Sequence, residues 1–242
     1  MKIKNNNKMW IFFGFVSILF HIFLIFSGLI PNLISRPLHM ALIIPWVFLY
    51  NHKTIKFLSL DFLFTLLGCL SCFWIAKNSD MLMDQYGFLE NDFQVFISVI
   101  LLLIVLEMAR RSVSWPLPLV SLLALMYGLF GNYIPGEFGH PGTPVNSFLG
   151  TLTIAEGGIW GTLTGVSVSI VSIFVIFGSF LNSGEAGSGF MNIATAFAGR
   201  LRGGAAKVSV LSSALFGSIS GSASANVAST GMITLPSMLK LG

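Results

Sequence analysis

Charged residues are scarce in this 242-residue sequence: they make up 9% of it, whereas hydrophobic residues make up 55%. A soluble domain carries about 25% charged residues, so this composition excludes an ordinary soluble protein. Each membrane-spanning helix needs about 20 mostly apolar residues, and the chain contains several runs of that kind. We therefore expect an all-α polytopic membrane protein. The formal net charge of +4 does not indicate nucleic-acid binding, because the basic residues lie at the ends of the apolar runs.

Cysteine is also scarce, which excludes a disulfide framework. Cys69 and Cys72 are the only two, and their Cys-x-x-Cys spacing is found in redox and metal sites. With no other cysteine and no histidine nearby, we interpret them as small apolar side chains. The sequence also lacks a nucleophile–base set, a phosphate-binding loop and zinc-ligand spacing. We expect no enzyme, no catalytic residue and no cofactor, and no metal site at His21 or His39, which have no clustered partners.

Hydropathy predicts about six transmembrane helices, followed by an apolar region that is interrupted by small residues. The first run is longer than the 7–15 residues of a signal-peptide core, so we expect an uncleaved span. The second is short because Arg36 and Pro37 crowd its start; a start near Leu33 is the alternative. The predicted spans are 10–30, 38–50, 57–76, 93–109, 115–134 and 158–181, and the interrupted region is 206–239.

Lysine and arginine are distributed unevenly between the two ends of these spans. With the N-terminus in the cytoplasm, ten basic residues fall on the cytoplasmic side and two, Arg36 and Lys77, on the other. Cytoplasmic loops of membrane proteins carry the excess of basic residues. The bias predicts a cytoplasmic N-terminus. The ten are Lys2, Lys4, Lys8, Lys53, Lys56, Arg110, Arg111, Arg200, Arg202 and Lys207.

Glycine content rises after Arg111, and the unusual polar chemistry lies beyond that point. We predict two domains: a four-helix accessory bundle over residues 1–113, and the beginning of a transport domain over residues 114–242.

The most informative segment is residues 217–230, where eleven of fourteen residues are Gly, Ala, Ser or Thr. A helix that breaks in a bilayer leaves backbone carbonyls unsatisfied, which is tolerated only where they line a cavity. Broken helices form the ion and substrate sites of secondary transporters. We predict a re-entrant helical hairpin with its arms at Val208–Phe216 and Val227–Leu239 and its tip at Ser218–Asn226. The alternative is a close helix contact through small residues, for which Gly217 and Gly221 have the spacing.

Oxygen atoms at such a tip suit a hard cation, and half-helix N-termini suit an anionic substrate group. The cation candidates include Ser220, Ser222 and Asn226, with Ser224 and Thr230 as further oxygen donors. Elsewhere, we predict an ion pair of Glu107 with Arg111, four residues later.

Two other acidic residues have simpler interpretations than a transport role. Asp61 is close to a span end, where we expect it to be hydrated. Glu156 precedes the span 158–181, and we prefer a helix-capping role at the positive helix end to a proton relay.

Several short motifs lie along the sequence from Leu106 onward. They are Leu106–Val113 (LEMARRSV), Tyr127–Gly131 (YGLFG), Ile134–Gly136 (IPG), Glu156–Gly161 (EGGIWG), Phe177–Leu181 (FGSFL), Gly199–Gly204 (GRLRGG) and Ser220–Asn226 (SGSASAN). These motifs resemble the fused membrane subunit of tripartite ATP-independent periplasmic (TRAP) transporters of the bacterial inner membrane, of the 4TM/12TM type that works with a TAXI-type binding protein. The similarity extends from about Arg36 to Gly242, and Arg36 and His39 resemble the start of the family's second span.

This resemblance implies a sodium-coupled symporter that imports small organic anions, often C4-dicarboxylates or other carboxylates. Na⁺ is then the coupling ion, and the partners are membrane lipid and an extracytoplasmic TAXI-type solute-binding protein. The substrate contacts map to Ser222, Ser224 and Asn226. The Na⁺ contacts map to Ser220, Gly221, Ser222, Ala223 and Asn226.

The sequence departs from the family pattern at Ser224, where an aliphatic residue is expected, and at Ala205, where proline is expected. Family members are also more than twice as long, so we interpret the chain as an N-terminal fragment whose partner is the missing C-terminal half. Alone, it is expected not to transport. The alternative function is a non-transporting membrane scaffold or an inactive remnant of such a permease.

Overall fold

The computed structural model describes residues 6–28, 30–50, 59–183 and 186–220, which form helices and turns without a β-strand. The all-α prediction is confirmed for this part of the chain. Its α-helices are α1 (Asn6–Ser27), α2 (Asn32–Phe48), α3 (Leu60–Lys77), α4 (Ser79–Asp84), α5 (Asp92–Ser112), α6 (Pro116–Phe130), α7 (Val145–Thr153), α8 (Thr162–Val166), α9 (Ser172–Ser183), α10 (Ala186–Ala198) and α11 (Gly204–Ser220).

Five helical segments of the described residues are long and apolar enough to cross a membrane, and each matches one of the predicted spans. They are Lys8–Ser27, Leu60–Lys77, Asp92–Ser112, Pro116–Tyr133 and Thr162–Phe180. The remaining predicted span is α2, whose 17 residues fall just below the length of the others. The protein is therefore a polytopic helical membrane protein.

The start of α2 follows the alternative prediction near Leu33. The helix begins at Asn32, directly after Pro31, and Pro37 lies buried inside it. Arg36 and Pro37 therefore do not delay the helix start. Pro37 lies inside the helix, where it lacks the N–H that would bond the Leu33 carbonyl, and the helix continues without that bond.

A second proline in α2 explains the position of one of the two cysteines. Pro45 has no N–H to donate to the carbonyl of Ala41, four residues earlier. The Cys69 thiol of α3 donates to that carbonyl oxygen at a distance of 3.5 Å. We predicted that Cys69 is only a small apolar side chain. Its thiol also donates to a backbone carbonyl that would otherwise lack a hydrogen bond, since lipid chains have no donor.

The predicted span 158–181 begins later than expected. Gly158–Trp160 form a 3₁₀ turn, and Gly161 is extended before α8 begins at Thr162. Gly158 has a φ of +51°, and a Cβ there would lie 2.3 Å from the Leu152 carbonyl oxygen. The glycines therefore allow a tight backbone crossing before the helix, and a π-helical turn, Ser167–Val171, follows α8.

The chain divides into two compact units, Met1–Val168 and Ser169–Gly242. This is a division by packing, and the functional boundary between 1–113 and 114–242 stays a prediction.

The core of the first unit lies where α2, α3 and α5 pack together and where α7 and the Gly158–Trp160 turn cover one end. Gly68 of α3 allows the close approach: a Cβ there would lie 2.9 Å from Ile44 Cδ1 and 3.1 Å from Ile104 Cδ1. Fully buried apolar side chains of this core include Leu33, Ile44, Phe48, Cys72, Ile75, Leu101, Ile154 and Trp160.

Side-chain caps fix the beginnings of α3 and α5. Ser59 accepts a hydrogen bond from the Phe62 N–H before α3. Before α5, Asn91 accepts from the Gln94 N–H at 2.9 Å, and the Gln94 side chain accepts from the Glu90 N–H at 2.8 Å. Such reciprocal bonds satisfy helix-start donors that have no intrahelical acceptor, so the position of α5 relative to the preceding loop is well defined.

Candidate functional site

The residues predicted to bind Na⁺ and substrate lie at and beyond the last described helix. Ser220 is the final residue of α11. Gly221, Ser222, Ala223, Ser224 and Asn226 are outside the described residues, as is the predicted return arm Val227–Leu239. Helix α11 includes Ser218–Ser220, which corrects the prediction that these three residues form part of the hairpin tip. The site assignment itself stays a prediction.

The helix that leads to this segment belongs to a helical hairpin within the second unit. Ala194 and Ala198 of α10 pack against Val208 of α11, and the rings of Phe190 and Phe216 meet edge to face at 5.4 Å. Small alanines allow two helices to approach closely. Helix α10, which includes Phe190–Ala198, packs along α11.

Glycines make the turn between α10 and α11. Gly203 has a φ of +69°, which side-chain-bearing residues rarely adopt. A Cβ on Gly204 would lie 2.4 Å from the Gly199 carbonyl oxygen. Only glycine fits both positions without strain, so the Gly199–Gly204 motif fixes the entry of α11.

Serine hydroxyls along α11 are bound by the helix backbone. Ser212 donates to the Ser209 carbonyl at 3.1 Å, and Ser218 donates to the Leu215 carbonyl at 2.7 Å. Such local bonds keep a hydroxyl satisfied in an apolar environment. The hydroxyls of Ser212 and Ser218 therefore need no external ligand.

A polar seam in the first unit joins α2 to the segment before α8. The guanidinium of Arg36 donates to the backbone carbonyls of Trp160 and Gly161, the latter at 3.3 Å. A Cβ on Gly165 would lie 2.9 Å from the guanidinium, so this glycine leaves the space that Arg36 occupies. A charge that is partly removed from water is stabilised here by two backbone acceptors.

Two buried histidines extend this seam, which corrects the prediction that His21 and His39 have no partners. His21 Nε2 and His39 Nδ1 are 2.7 Å apart, His39 Nε2 lies 3.0 Å from Ser167 Oγ, and His21 Nδ1 lies 2.7 Å from the Ser17 carbonyl oxygen. Because that carbonyl only accepts, neutral rings have one consistent arrangement: Ser167 donates to His39, His39 to His21, and His21 to Ser17. His21 belongs to α1 and His39 to α2, and the two helices pack together after the turn at Gly28. The 18-residue separation of the two histidines in the sequence did not indicate this contact.

Another set of buried polar groups is linked to this seam through Trp160, whose carbonyl accepts from Arg36. Thr153 donates to Ser98 Oγ at 2.6 Å and is within 2.7 Å of the Leu149 carbonyl, while the Trp160 indole donates to the Thr153 carbonyl at 2.6 Å. These bonds join α5, α7 and the turn before α8. No group of three or more His, Cys, Asp or Glu side chains that could hold a metal ion occurs among the described residues.

An ion-pair cluster lies at the C-terminal end of α5. Glu107 pairs with Arg111 at 2.7 Å, as predicted, and with Arg110 at 2.6 Å. Arg111 also pairs with Asp61 of α3 at 2.5 Å, which corrects the prediction of a simply hydrated Asp61. The cluster ties α3 to α5 and indicates a structural role.

Glu156 does not take the predicted capping position. Helix α8 begins after Gly161 without a side-chain cap, because the 3₁₀ turn separates it from Glu156. Glu156 lines a cavity of about 360 Å³ together with Leu33, Leu82 and Tyr86.

The described residues form a helical membrane protein. Its α10–α11 hairpin turns at glycines and precedes a segment of small residues. Helices broken by such segments form the binding sites of secondary transporters. Residues 100–242 match the family described as "Tripartite ATP-independent periplasmic transporter, DctM component". The chain belongs to this family.

Three relatives match the chain over segments of 75 to 80 residues. The chain is 39% identical over 80 residues to the uncharacterized protein YgiK of Salmonella typhimurium, covering 33% of this chain and 18% of that protein. It is 35% identical over 75 residues to the C4-dicarboxylate TRAP transporter large permease protein DctM of Rhodobacter capsulatus (31% and 17%). For the ectoine TRAP transporter large permease protein TeaC of Halomonas elongata the identity is 34% over 76 residues (31% and 18%).

The matched segments cover less than one fifth of the length of these three relatives. No solved structure matches the chain.

Proposed function

We propose that the chain is part of the membrane permease of a sodium-coupled symporter that imports small organic anions, carboxylates among them. A TAXI-type solute-binding protein delivers the substrate from outside, and residues 1–113 act as the small-subunit-like domain. The observation that carries this proposal is that α11, held by the Gly199–Gly204 turn and by α10, leads as a helix directly to the oxygen-rich segment that follows Ser220. Family membership supports the transport part of the proposal.

The proposed mechanism uses the transmembrane potential and a broken helix. Na⁺ entry contributes about 2.3 kcal/mol per charge per 100 mV. The hydroxyls of Ser220 and Ser222 and the amide oxygen of Asn226, with exposed carbonyls, supply the hard oxygen ligands that Na⁺ requires. Ser222, Ser224 and Asn226 contact the carboxylate. The second half of the permease supplies the remaining contacts, because substrate sites of such transporters lie between two repeats.

The test is sodium-dependent uptake of labelled carboxylates into proteoliposomes. The chain is joined in frame to the C-terminal half of a related large permease and is supplied with the binding protein. Ser222→Ala and Asn226→Ala each remove one side-chain oxygen that is proposed to bind Na⁺. We therefore expect the apparent affinity for Na⁺ to fall about 10- to 100-fold.

Ser218→Ala is the matched control, because its hydroxyl is bound by the Leu215 carbonyl within α11. Its uptake is expected to equal that of the unmodified protein. Uptake and sodium dependence that are unchanged in both Ser222→Ala and Asn226→Ala would refute the site assignment.

The alternative, a non-transporting scaffold or remnant, makes the opposite prediction for the same preparation. The restored protein would then insert and bind the other components without any sodium-dependent uptake.

A further inference from the structure

An apolar groove runs between α3 and α5 on the surface of the first unit, with a volume of about 400 Å³. Apart from Ser71 and Lys77, its walls are apolar or aromatic. They include Leu67, Trp74 and Lys77 of α3 and Phe93, Phe96 and Ile100 of α5.

The groove extends along one half of a bilayer. Its α3 wall runs from Leu67 to Lys77, ten residues that rise about 15 Å along a helix. The hydrocarbon core of a bilayer is about 30 Å thick. Since Lys77 ends α3, the groove starts at one membrane surface and reaches about the midplane, which is the depth of one lipid leaflet.

The surface end of the groove has side chains that suit a lipid headgroup. Lys77 is exposed, and among the described residues no carboxylate pairs with it. The rings of Trp74 and Phe93 meet edge to face beside it at 5.4 Å. Tryptophan is enriched at the level of the headgroups, and a lysine at a helix end reaches toward phosphates.

The groove is too narrow for another helix. A volume of about 400 Å³ over about 15 Å gives a mean cross-section of about 27 Å². An α-helix with side chains is 10–12 Å wide, so its cross-section is about three to four times larger. One extended hydrocarbon chain fits these dimensions, whereas a transmembrane helix would remain outside.

The loop at the same end is acidic, which selects the type of headgroup. Asp80, Asp84, Glu90 and Asp92 are all exposed between α3 and the first turn of α5. A headgroup with a net negative charge is repelled by these carboxylates. A zwitterionic headgroup is attracted at both of its charges: Lys77 attracts its phosphate, and the carboxylates of the loop attract its ammonium group.

We propose that the α3–α5 groove binds one zwitterionic phospholipid of the phosphatidylethanolamine type. One acyl chain lies in the groove, the phosphate contacts Lys77, and the ammonium group faces the acidic loop. This site does not depend on the proposed transport function, because none of its residues belongs to the candidate ion site.

Native mass spectrometry of the full chain, released from nanodiscs with equal amounts of phosphatidylethanolamine and phosphatidylglycerol, tests the proposal. The unmodified protein is expected to retain one phosphatidylethanolamine molecule. Lys77→Ala is expected to lower the retained fraction about fivefold, because one basic residue near a phosphate has an effect of that size. Lys77→Arg keeps the charge and is expected to keep the lipid.

A second pair of variants tests the groove itself. Leu70 lines the groove and is 56% exposed, so Leu70→Trp fills it without altering the core. Leu66 lies one turn earlier on α3, is 45% exposed and is not part of the groove wall. Leu70→Trp is expected to release the lipid and Leu66→Trp to retain it.

Equal retention by the unmodified protein, Lys77→Ala and Leu70→Trp would overturn the proposal, since it would indicate non-specific lipid. Preferential retention of phosphatidylglycerol, or a second copy of the chain in place of lipid, would also overturn it. Circular dichroism of each variant confirms that its helices are intact before retention is compared.

Discussion

Arg36 illustrates how one residue connects two distant parts of the sequence. Its guanidinium, on α2, meets backbone carbonyls at Trp160 and Gly161, more than 120 residues later. Trp160 ends the 3₁₀ turn, and the Gly161 carbonyl, which also accepts from the Gly165 N–H at 3.1 Å, begins α8. Arg36 therefore stabilises a stretch of irregular backbone next to a membrane-spanning helix, a place where unsatisfied polar groups are costly.

Replacing Arg36 with alanine should lower the free energy of unfolding by about 1–3 kcal/mol, because the carbonyl of buried Trp160 loses the guanidinium donor. Arg36→Lys should lose less, since an ammonium group still reaches one carbonyl. Reversible unfolding in mixed micelles measures both. Arg200→Ala, at an exposed arginine in the α10–α11 turn, is the control and should change little; an Arg36→Ala variant as stable as this control would contradict the assigned role.

Contacts between neighbours in sequence were predictable, and contacts between distant residues were not. The Glu107–Arg111 pair follows from helical spacing alone. Asp61 meets Arg111 across 50 residues, and His21 meets His39 across a turn. These pairs depend on how the helices pack, which hydropathy does not specify.

At the scale of helices, the first unit depends on the close approach of α2, α3 and α5. Gly68 is the residue that permits it, since the space a side chain would need is filled by the Cδ1 atoms of Ile44 and Ile104. Helices in lipid associate largely through such packing, because burial against lipid-like side chains adds no hydrophobic gain.

Gly68→Ala should therefore destabilise the first unit by about 1–3 kcal/mol through overpacking. Adding Ile44→Val removes the contacted Cδ1 methyl group and should restore part of the loss. The free energy of unfolding of the single and double variants provides the measurement.

Gly14→Ala on α1 is the matched control for Gly68→Ala. A Cβ at Gly14 would make only an ordinary contact, 3.8 Å from Trp46, so little change is expected. If Gly68→Ala is no more destabilising than Gly14→Ala, the packing account is wrong.

The positions of the spanning helices were predictable because apolar length is a strong signal, whereas their ends depended on local chemistry. α2 starts at Asn32 despite Pro37, and α8 starts at Thr162 because glycines shape the turn before it. Hydropathy cannot separate a 3₁₀ turn of apolar residues from a helix, so the predicted start at 158 was early.

For the whole molecule, composition was enough to predict a polytopic helical membrane protein, and sequence motifs were enough to predict the family. The arm that leads to the candidate site was also predictable, as α11. The ligand contacts stay a prediction, because they depend on the geometry of Ser222 and Asn226, which lie outside the described residues. The cytoplasmic position of the N-terminus likewise stays a prediction from charge bias.

The central claim is that the chain folds back on itself after α11. Nitroxide labels at Val210, which is 72% exposed, and at Thr234 report this directly by electron paramagnetic resonance in nanodiscs, in a Cys69→Ser and Cys72→Ala background. Packed helix axes lie about 8–10 Å apart, so a hairpin predicts a label separation of roughly 10–20 Å. A continuous helix of 24 residues would place the labels about 36 Å apart, and that result would contradict the account.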